Sequence, residues 1–229
     1  MNLGATSWQD AGTYTDNVRL LSGHASFCEL LIYTWNDGIQ DQLEREWDAM
    51  APLLELSVHL PADSTENAAA ALKFFRDREV PRFTVHPIVD LAALRELLTL
   101  GVSLVGDRLC LENLENNVFE TVYAHVKDIP FSVTLDYGHL LLTGTSPDVF
   151  ADLYGDRVAE VHFHGCDGSR CHILPDETTL GGFSSFMDRQ FAGRSAEMPV
   201  CVETFEWPVT RFILDALAGA PVAAIPAES

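Results

Sequence analysis

The amino-acid sequence predicts a single-domain α/β protein with the architecture of a (β/α)8 barrel, also called a TIM barrel. Eight apolar runs of strand length occur along the chain, and most are separated by segments with helical spacing. Strands that alternate with helices favour a parallel sheet, and eight such units in one compact chain are typical of a closed barrel. With 229 residues, 47% of them hydrophobic, the chain is long enough for one large core and short for two domains.

Each predicted strand is a short apolar segment. The strands are placed at residues 3–7, 27–33, 53–60, 82–86, 108–112, 131–136, 157–164 and 200–205. Helical spacing is clearest at residues 66–78, 91–100 and 208–217. The fifth strand has a competitor at residues 101–105, which are also apolar. We expect residues 1–217 to form the barrel and the Ala/Pro-rich residues 218–229 to form a loosely ordered C-terminal tail.

Six of the predicted strands share one pattern of side chains. In residues 131–136, for example, apolar side chains alternate with Ser132, Thr134 and Asp136. Because successive side chains of a strand point to opposite faces, we expect an aliphatic face against the outer helices and a polar or small face inside the barrel. Each inner face ends in His, Glu or Asp at the carboxyl end of its strand, where barrel enzymes build their active sites. These six residues are His59, His86, Glu112, Asp136, His162 and Glu203.

Two more histidines follow the strands. We expect Gly138 to let the chain turn after Asp136 so that His139 reaches the same rim, and His172 lies in the loop after the seventh strand. Imidazole and carboxylate groups together are ligands for Zn or Mn-type divalent ions. A bound cation also compensates carboxylates that are costly to bury alone. A single histidine in a strand is more often an ordinary core or surface residue, but the repetition on six strands favours a metal site.

The composition argues against several classes of partner. Lys and Arg number 14 and Asp and Glu number 34, so the formal net charge is −20. DNA, RNA and anionic membranes bind basic surfaces, so we expect none of them as partners. No apolar stretch approaches the roughly 18 residues of a spanning helix, and the first residues lack a secretory signal pattern. The five cysteines include no CxxC pair, which favours reduced thiols in a cytoplasmic protein.

Some residues near strand ends are candidates for contact with a small-molecule substrate. Trp8 and Trp35 lie close after strands, where a large, partly apolar mouth would suit a bulky corrinoid or a sugar ring. Core packing or a dimer surface is the alternative for each of them. Glu29, in the second strand, either joins the site or pairs with Arg19. The substrate-binding candidates are therefore Trp8, Glu29, Trp35 and His164.

An ordered set of short motifs resembles a known superfamily. The motifs are GATS (4–7), ELLIY (29–33), SVHLPAD (57–63), TVHP (84–87), CLENLEN (110–116), LDYGHLL (135–141), VHFHG (161–165) and VETF (202–205). In this order they are similar to the xylose isomerase-like TIM barrel superfamily, which includes sugar isomerases and epimerases and AP endonuclease family 2. The closest likeness is to the cobamide remodelling phosphodiesterases, through GxTS followed by NVR, VHLP, LENLE, LDxGHLL, HxHG with a later HxL, and ExF.

The resemblance implies metal ligands and a reaction. Eight residues match metal-binding positions of the endonuclease-type members: His59, His86, Glu112, Asp136, His139, His162, His172 and Glu203. A simple sugar isomerase needs only Glu112, Asp136, His162 and Glu203 around one metal. The extra histidines therefore imply two or more divalent ions, which we expect to be Zn, Mn or Co. Such a site suits hydrolysis of a phosphodiester in a cobamide or a similar small molecule, with Glu112, Glu203 and His172 as catalytic candidates.

Two other functions remain open. A sugar or keto-acid isomerase or epimerase would use two carboxylates, such as Glu112 and Glu203, to move protons at carbons beside a carbonyl. A non-catalytic binder of metal or ligand is suggested by one departure from the related hydrolases. Those proteins carry an aspartate before the last histidine, whereas residues 168–172 here read GSRCH. Asp167 or Cys171 is a candidate replacement, since a thiolate is a good zinc ligand.

Overall fold

A closed barrel of eight parallel strands forms the centre of the protein. The computed structural model describes residues 1–10, 12–116 and 118–220, and in it the strands pair in chain order until β8 closes on β1. The strands are β1 (Asn2–Thr6), β2 (Phe27–Leu31), β3 (Glu55–His59), β4 (Phe83–Val85), β5 (Leu109–Glu112), β6 (Ser132–Asp136), β7 (Val158–Phe163) and β8 (Pro199–Val202). The predicted (β/α)8 barrel is therefore confirmed.

Each strand is followed by at least one helix. The helices are α1 (Tyr14–Leu21), α2 (Asp37–Met50), α3 (Thr65–Phe75), α4 (Leu91–Val105), α5 (Phe119–Val126), α6 (Tyr137–Leu142), α7 (Pro147–Tyr154), α8 (Glu177–Gln190) and α9 (Trp207–Leu217). The competing strand at residues 101–105 is instead the last part of α4. Leu97, Leu98, Gly101 and Val105 are buried there at helical spacing, so that the apolar residues form one face of the helix.

The interior of the barrel is polar, as the alternation predicts. The hydroxyl groups of Thr84 and Thr134 meet across it, with their oxygens 3.0 Å apart. Apolar strand residues such as Val58, Leu111 and Val133 are fully buried in the hydrophobic core. The two faces of the strands therefore have separate roles, because one stabilises the barrel and the other lines its interior.

An ion pair and an aromatic ring fill the amino-terminal end of the interior. Nε of Arg82 lies 3.0 Å from Oε2 of Glu160, and its Nη2 lies 3.0 Å from Oε1 of Glu55. The guanidinium also lies 4.8 Å from the centre of the Phe27 ring. Gly4 makes room for this ring, since a Cβ there would lie 2.5 Å from it. Since this layer fills the amino-terminal end, the remaining polar residues of the interior lie towards the carboxyl ends of the strands.

The ends of the chain add two points. Within the described residues, no helix has both the length and the apolar character that a membrane span requires. Of the predicted C-terminal tail, residues 221–229 lie outside the described part of the chain.

Candidate metal centre

Four buried residues from β5 to β8 form a compact group of metal-ligand atoms. Glu112 and Asp136 end their strands, His162 is the last but one residue of β7, and Glu203 follows β8 directly. One ligand atom from each lies within 4.8 Å of the others. Nδ1 of His162 is 2.9 Å from Oε1 of Glu112 and 3.2 Å from Oε2 of Glu203. This Glu203 oxygen is buried without a hydrogen-bond partner, so the three carboxylates and one imidazole fit a divalent cation.

A second group shares Glu112 with the first. Nε2 of His59 lies 3.3 Å, and Nε2 of His86 lies 2.9 Å, from Oε2 of Glu112. The other oxygen of Glu112 is the one that faces His162. Because its two oxygens face different groups of ligands, Glu112 has the geometry of a carboxylate that bridges two cation positions.

A third group consists of three histidines. Ligand nitrogens of His139, His164 and His172 lie within 4.8 Å of one another. Nδ1 of His172 is 3.0 Å from the carbonyl oxygen of Glu203. The backbone φ of His172 is 59°, a left-handed conformation that residues other than glycine rarely adopt. The eight predicted metal ligands thus lie together at the carboxyl end of the barrel.

His164 was predicted to bind substrate, but it is the fully buried member of the third group and does not line the cavity that opens above these groups. Its side chain has no solvent exposure, and its Nε2 is 3.2 Å from both carboxylate oxygens of Asp136. Its Nδ1 lies 3.1 Å from both the backbone nitrogen of His172 and the carbonyl oxygen of Gly165. Both nitrogens therefore hold protein groups in place, which makes His164 a residue that orients Asp136.

Gly138 has a different role from the expected turn. It lies inside α6, which starts directly after Asp136, and Oδ1 of Asp136 accepts a hydrogen bond from the backbone N–H of His139. A Cβ on Gly138 would lie 2.1 Å from Cε1 of His164. The glycine is therefore needed for space, because the His164 ring packs directly on the helix at this position.

Asn113 is a site residue that sequence reasoning missed. Its Nδ2 donates to the carbonyl oxygen of Asp136 at 2.9 Å, and its Oδ1 accepts from the backbone N–H of Asp136 at 2.8 Å. This pair of hydrogen bonds joins the ends of β5 and β6 and fixes the position of the Asp136 backbone along the barrel axis. The available signal was its position directly after Glu112, where the chain leaves the strand.

The charges in the centre favour imidazolium and carboxylate pairs before a metal binds. Burial lowers the pKa of His59, but the hydrogen bond and charge of Glu112 outweigh burial and raise the pKa to about 9. Asp136 likewise outweighs burial and raises the pKa of His164 to about 9. Burial raises the pKa of Glu112 and of Asp136, but the facing histidines lower both pKa values below their usual range. A divalent cation would replace these protons.

Glu29 lies below the centre rather than in its mouth. Its Oε2 is 3.2 Å from Nε2 of His162, and both side chains have no solvent exposure. The expected alternative, a pair with Arg19, is absent from the described residues, where Arg19 instead lies 3.9 Å from Asp16. Glu29 was predicted to bind substrate, but its depth in the barrel keeps it away from the cavity.

A cavity of about 560 Å³ opens above the metal-ligand groups. Trp8, Tyr33 and Phe205 line it together with His59, His86, His172 and Glu203. Trp8 lines the cavity as predicted for a substrate contact, but Trp35 does not. The Trp35 ring is 8% exposed and packs 5.3 Å from the Phe74 ring of α3, because the chain turns towards the helical layer before α2.

The loop before His172 contains a disulfide. Cys166 and Cys171 are bonded to each other, so the expectation of reduced thiols is wrong for this pair, while Cys28, Cys110 and Cys201 are free and buried. The prediction failed because the chain path, rather than a CxxC spacing, brings the two residues together. Because Cys171 is disulfide-bonded, it has no thiolate that could bind a metal.

Asp167 also lies outside the third group of ligands. Its Oδ2 pairs with the guanidinium of Arg170 at 2.7 Å, and its Oδ1 accepts hydrogen bonds from Ser169. It therefore stabilises the turn at residues 167–170 and does not replace the aspartate of the related hydrolases. In this structure a third histidine, His164, completes the group instead.

Comparison with known proteins supports the fold. No protein-family model and no curated protein sequence matches the chain. Among solved structures it is similar to D-psicose 3-epimerase from Clostridium cellulolyticum H10, with 13% identity, a TM-score of 0.67, and coverage of 96% of this chain and 97% of that chain. It is also similar to the probable 3-DHS dehydratase AsbF from Bacillus anthracis, with 13% identity, a TM-score of 0.72, and coverage of 95% and 99%. A xylose isomerase domain protein from Alicyclobacillus acidocaldarius has 15% identity, a TM-score of 0.66, and coverage of 95% and 97%.

The chain has the xylose isomerase-like TIM barrel fold. The fold implied by the resemblance is thus confirmed, and membership of the superfamily stays a prediction. Several similar structures are named as sugar isomerases or epimerases, and the IolI protein, also similar, is described with a bound zinc atom. The finer likeness to cobamide remodelling phosphodiesterases stays a prediction.

Proposed function

We propose that this protein is a divalent-metal enzyme that isomerises or epimerises a small sugar or keto acid. The observation that carries the proposal is the position of two buried carboxylates around one candidate cation position. An oxygen of Glu112 and an oxygen of Glu203 lie 2.9 and 3.2 Å from the same atom, Nδ1 of His162. Two carboxylates beside one cation position can take a proton from a carbon next to a carbonyl and return one to it.

Epimerases are among the proteins with a similar structure. D-Psicose 3-epimerase, 3-keto-D-glucoside 4-epimerase and L-ribulose 3-epimerase have the same fold, with identities of 13%, 11% and 13%. A likeness at such low identity shows the fold alone, so we infer the reaction from the candidate metal ligands of this chain.

The residues of the chain have separate tasks in the proposed reaction. Glu112, Asp136, His162 and Glu203 would hold the cation. When bound, the cation polarises the carbonyl of the substrate. One of the two glutamates accepts the proton from the carbon beside the carbonyl, and the other returns a proton. The neighbouring histidines lower the pKa of Glu112 and of Glu203 against the effect of burial, so both are ionised and able to accept a proton at neutral pH.

Hydrolysis of a small phosphodiester, such as that of a cobamide, is the second candidate function. It is favoured by the two additional ligand groups, His59 and His86 with Glu112, and His139 with His164 and His172. A one-metal isomerase needs neither group, whereas adjacent cations stabilise the attacking and leaving oxygens of a phosphoester. For either reaction we propose a small-molecule substrate and no nucleic acid, because the net charge of −20 repels polyanions.

A double variant separates the two candidates. We would measure metal content by elemental mass spectrometry, together with turnover of a ketose panel and of small phosphodiesters, for wild type and for His59→Ala/His86→Ala. His125→Ala is the matched control, because His125 is exposed on α5. An isomerase should lose one metal at most and keep ketose turnover within about threefold.

The contrary outcomes are equally specific. Phosphodiester turnover in wild type that falls by about 100-fold in the double variant would establish the hydrolase instead. Tight metal binding without turnover of either panel would overturn both reactions and leave the non-catalytic binder.

A further inference from the structure

Three exposed aromatic side chains form a continuous surface beside the metal-ligand groups. Trp8, Tyr33 and Phe205 have 49%, 72% and 39% of their surface exposed. The Trp8 ring centre is 5.5 Å from that of Tyr33 and 5.9 Å from that of Phe205. We call these three residues the aromatic mouth. Exposed apolar groups of this size that lie together mark a binding surface more often than single exposed residues do.

The aromatic mouth is continuous with the candidate metal centre. The same cavity is lined by all three aromatic residues and by ligand candidates of the first two groups. The His172 ring lies 5.0 Å from the Phe205 ring, with 33° between the ring planes. A ligand with oxygens at the metal positions therefore extends over the aromatic rings.

The described walls around the mouth hold histidines at the metal-ligand groups but no lysine or arginine. Within the described residues, neither this cavity nor the two depressions that share Trp8 with it is lined by a lysine or arginine. The acidic residues Asp63 and Glu115 line the cavity, and Glu206 lines an adjoining depression. Phosphate sites in proteins are built from Arg, Lys or convergent N–H groups. A phosphate bound over the aromatic rings would have no lysine or arginine to pair with and would lie near carboxylates.

We propose that the aromatic mouth binds a flat, neutral or cationic ring of the substrate, and that the substrate carries no phosphate at that end. The aromatic faces stack on the ring, and the carboxylates around them favour a positive charge or hydroxyl groups over an anion. The inference rests on the proposed function only in that the reacting end of the substrate lies at the metal positions.

Matched pairs of probes test this inference by binding alone. The probes are adenosine and adenosine 5′-monophosphate, pyridoxine and pyridoxine 5′-phosphate, and ribose as a ring-free control. Calorimetric titration would use the protein as purified and after chelation, with circular dichroism to verify folding. We expect at least one neutral ring compound to bind about tenfold more tightly than ribose. We also expect its phosphate to bind more weakly than the neutral compound in chelated protein.

Variants of Trp8 connect the binding to the mouth. Trp8→Ala should lower the affinity for the neutral ring compound about tenfold, and Trp8→Phe should retain most of it. Leu153→Ala is the control, since Leu153 is an exposed apolar residue that does not line the cavity.

Three results would overturn the inference: no preference for any ring compound over ribose, tighter binding of the phosphates after chelation, or an unchanged affinity in Trp8→Ala. Since no turnover is measured, these results are independent of whether the proposed isomerase activity is found.

Discussion

Oε2 of Glu29 lies 3.2 Å from Nε2 of His162, and neither side chain is exposed to solvent. This contact is an ion pair rather than a hydrogen bond, and His162 Nε2 has no hydrogen-bond partner among the described residues. The contact is therefore mainly electrostatic, and it favours a proton on Nε2. That leaves Nδ1, which faces Glu112 and Glu203, as the nitrogen available to a cation.

Replacement of Glu29 tests this positioning role. We predict that Glu29→Gln, which keeps the shape and removes the charge, weakens metal binding about 10- to 100-fold. The reason is that the proton is no longer held on Nε2 of His162. Competition with a chromophoric chelator measures the affinity, and Glu79→Gln, at an exposed position, is the control. An affinity equal to that of wild type would show that Glu29 has no part in orienting His162.

Gly138→Ala should damage the centre through crowding. The added Cβ would lie 2.1 Å from Cε1 of His164 and would push that ring away from Asp136. We predict a loss of about 1–3 kcal/mol in the free energy of unfolding, together with weaker metal binding. Gly181→Ala on α8 is the matched control, because its Cβ would meet no atom within 4 Å. Equal stabilities of the two variants, measured by denaturant unfolding, would contradict the crowding argument.

The metal-free protein should lose stability between about pH 6.5 and pH 9. The pKa values of His59 and His164 are raised to about 9 by the facing carboxylates. A histidine whose pKa is raised in the folded state contributes stability that is fully present below its unfolded pKa, about 6.5, and that is lost as the pH rises through the folded pKa. The contribution of each is at most about 3 kcal/mol.

Thermal unfolding of chelated protein across this pH range measures the effect. His59→Gln should flatten the curve, because it removes one of the histidines whose pKa is raised in the folded protein. A stability that rises from pH 6.5 to 9 would be opposite in sign to this prediction.

The floor of the barrel depends on the Arg82–Glu160 pair. Glu160 has no solvent exposure, and burial raises its pKa to about 7 even though Arg82 lowers it. We predict that Arg82→Met, which leaves this carboxylate unpaired, lowers the free energy of unfolding by about 3–5 kcal/mol. The double variant Arg82→Met/Glu160→Met should recover much of that loss, as measured by urea unfolding. A loss below about 1 kcal/mol for the single variant would show that the pair contributes no more to stability than an exposed ion pair does.

Sequence reasoning predicted the facing of side chains correctly where local alternation decides it. Period-two patterning is a property of the extended chain, so it placed Glu112, Asp136 and His162 on the inner face before any strand pairing was known. The same patterning says nothing about height in the barrel. Glu29 is on the inner face too, but it pairs with Ser57, two residues before His59, and so lies deeper than the rim.

The path of the loops was also beyond sequence patterning. Trp35 follows β2, yet it packs on α3 because the loop turns towards the helices there. Cys166 and Cys171 meet because the loop after β7 folds back on itself, with Gly165 bridged to Ile173. Such contacts depend on chain direction after a strand ends, which the alternation of the strand does not encode.

By itself the sequence determined the eight-stranded barrel, the inward direction of its histidines and acids, and the acidic character of the whole protein. Only the tertiary structure decided which of these residues share a ligand group, that Glu112 faces two groups at once, that His164 and Glu29 support ligands, and that Trp8, Tyr33 and Phe205 form one surface. The physical reason is the range of the interactions. Whether a strand side chain points inward or outward depends on its neighbours along the chain. The distance between two side chains across the barrel depends on the register of strands that are far apart in sequence.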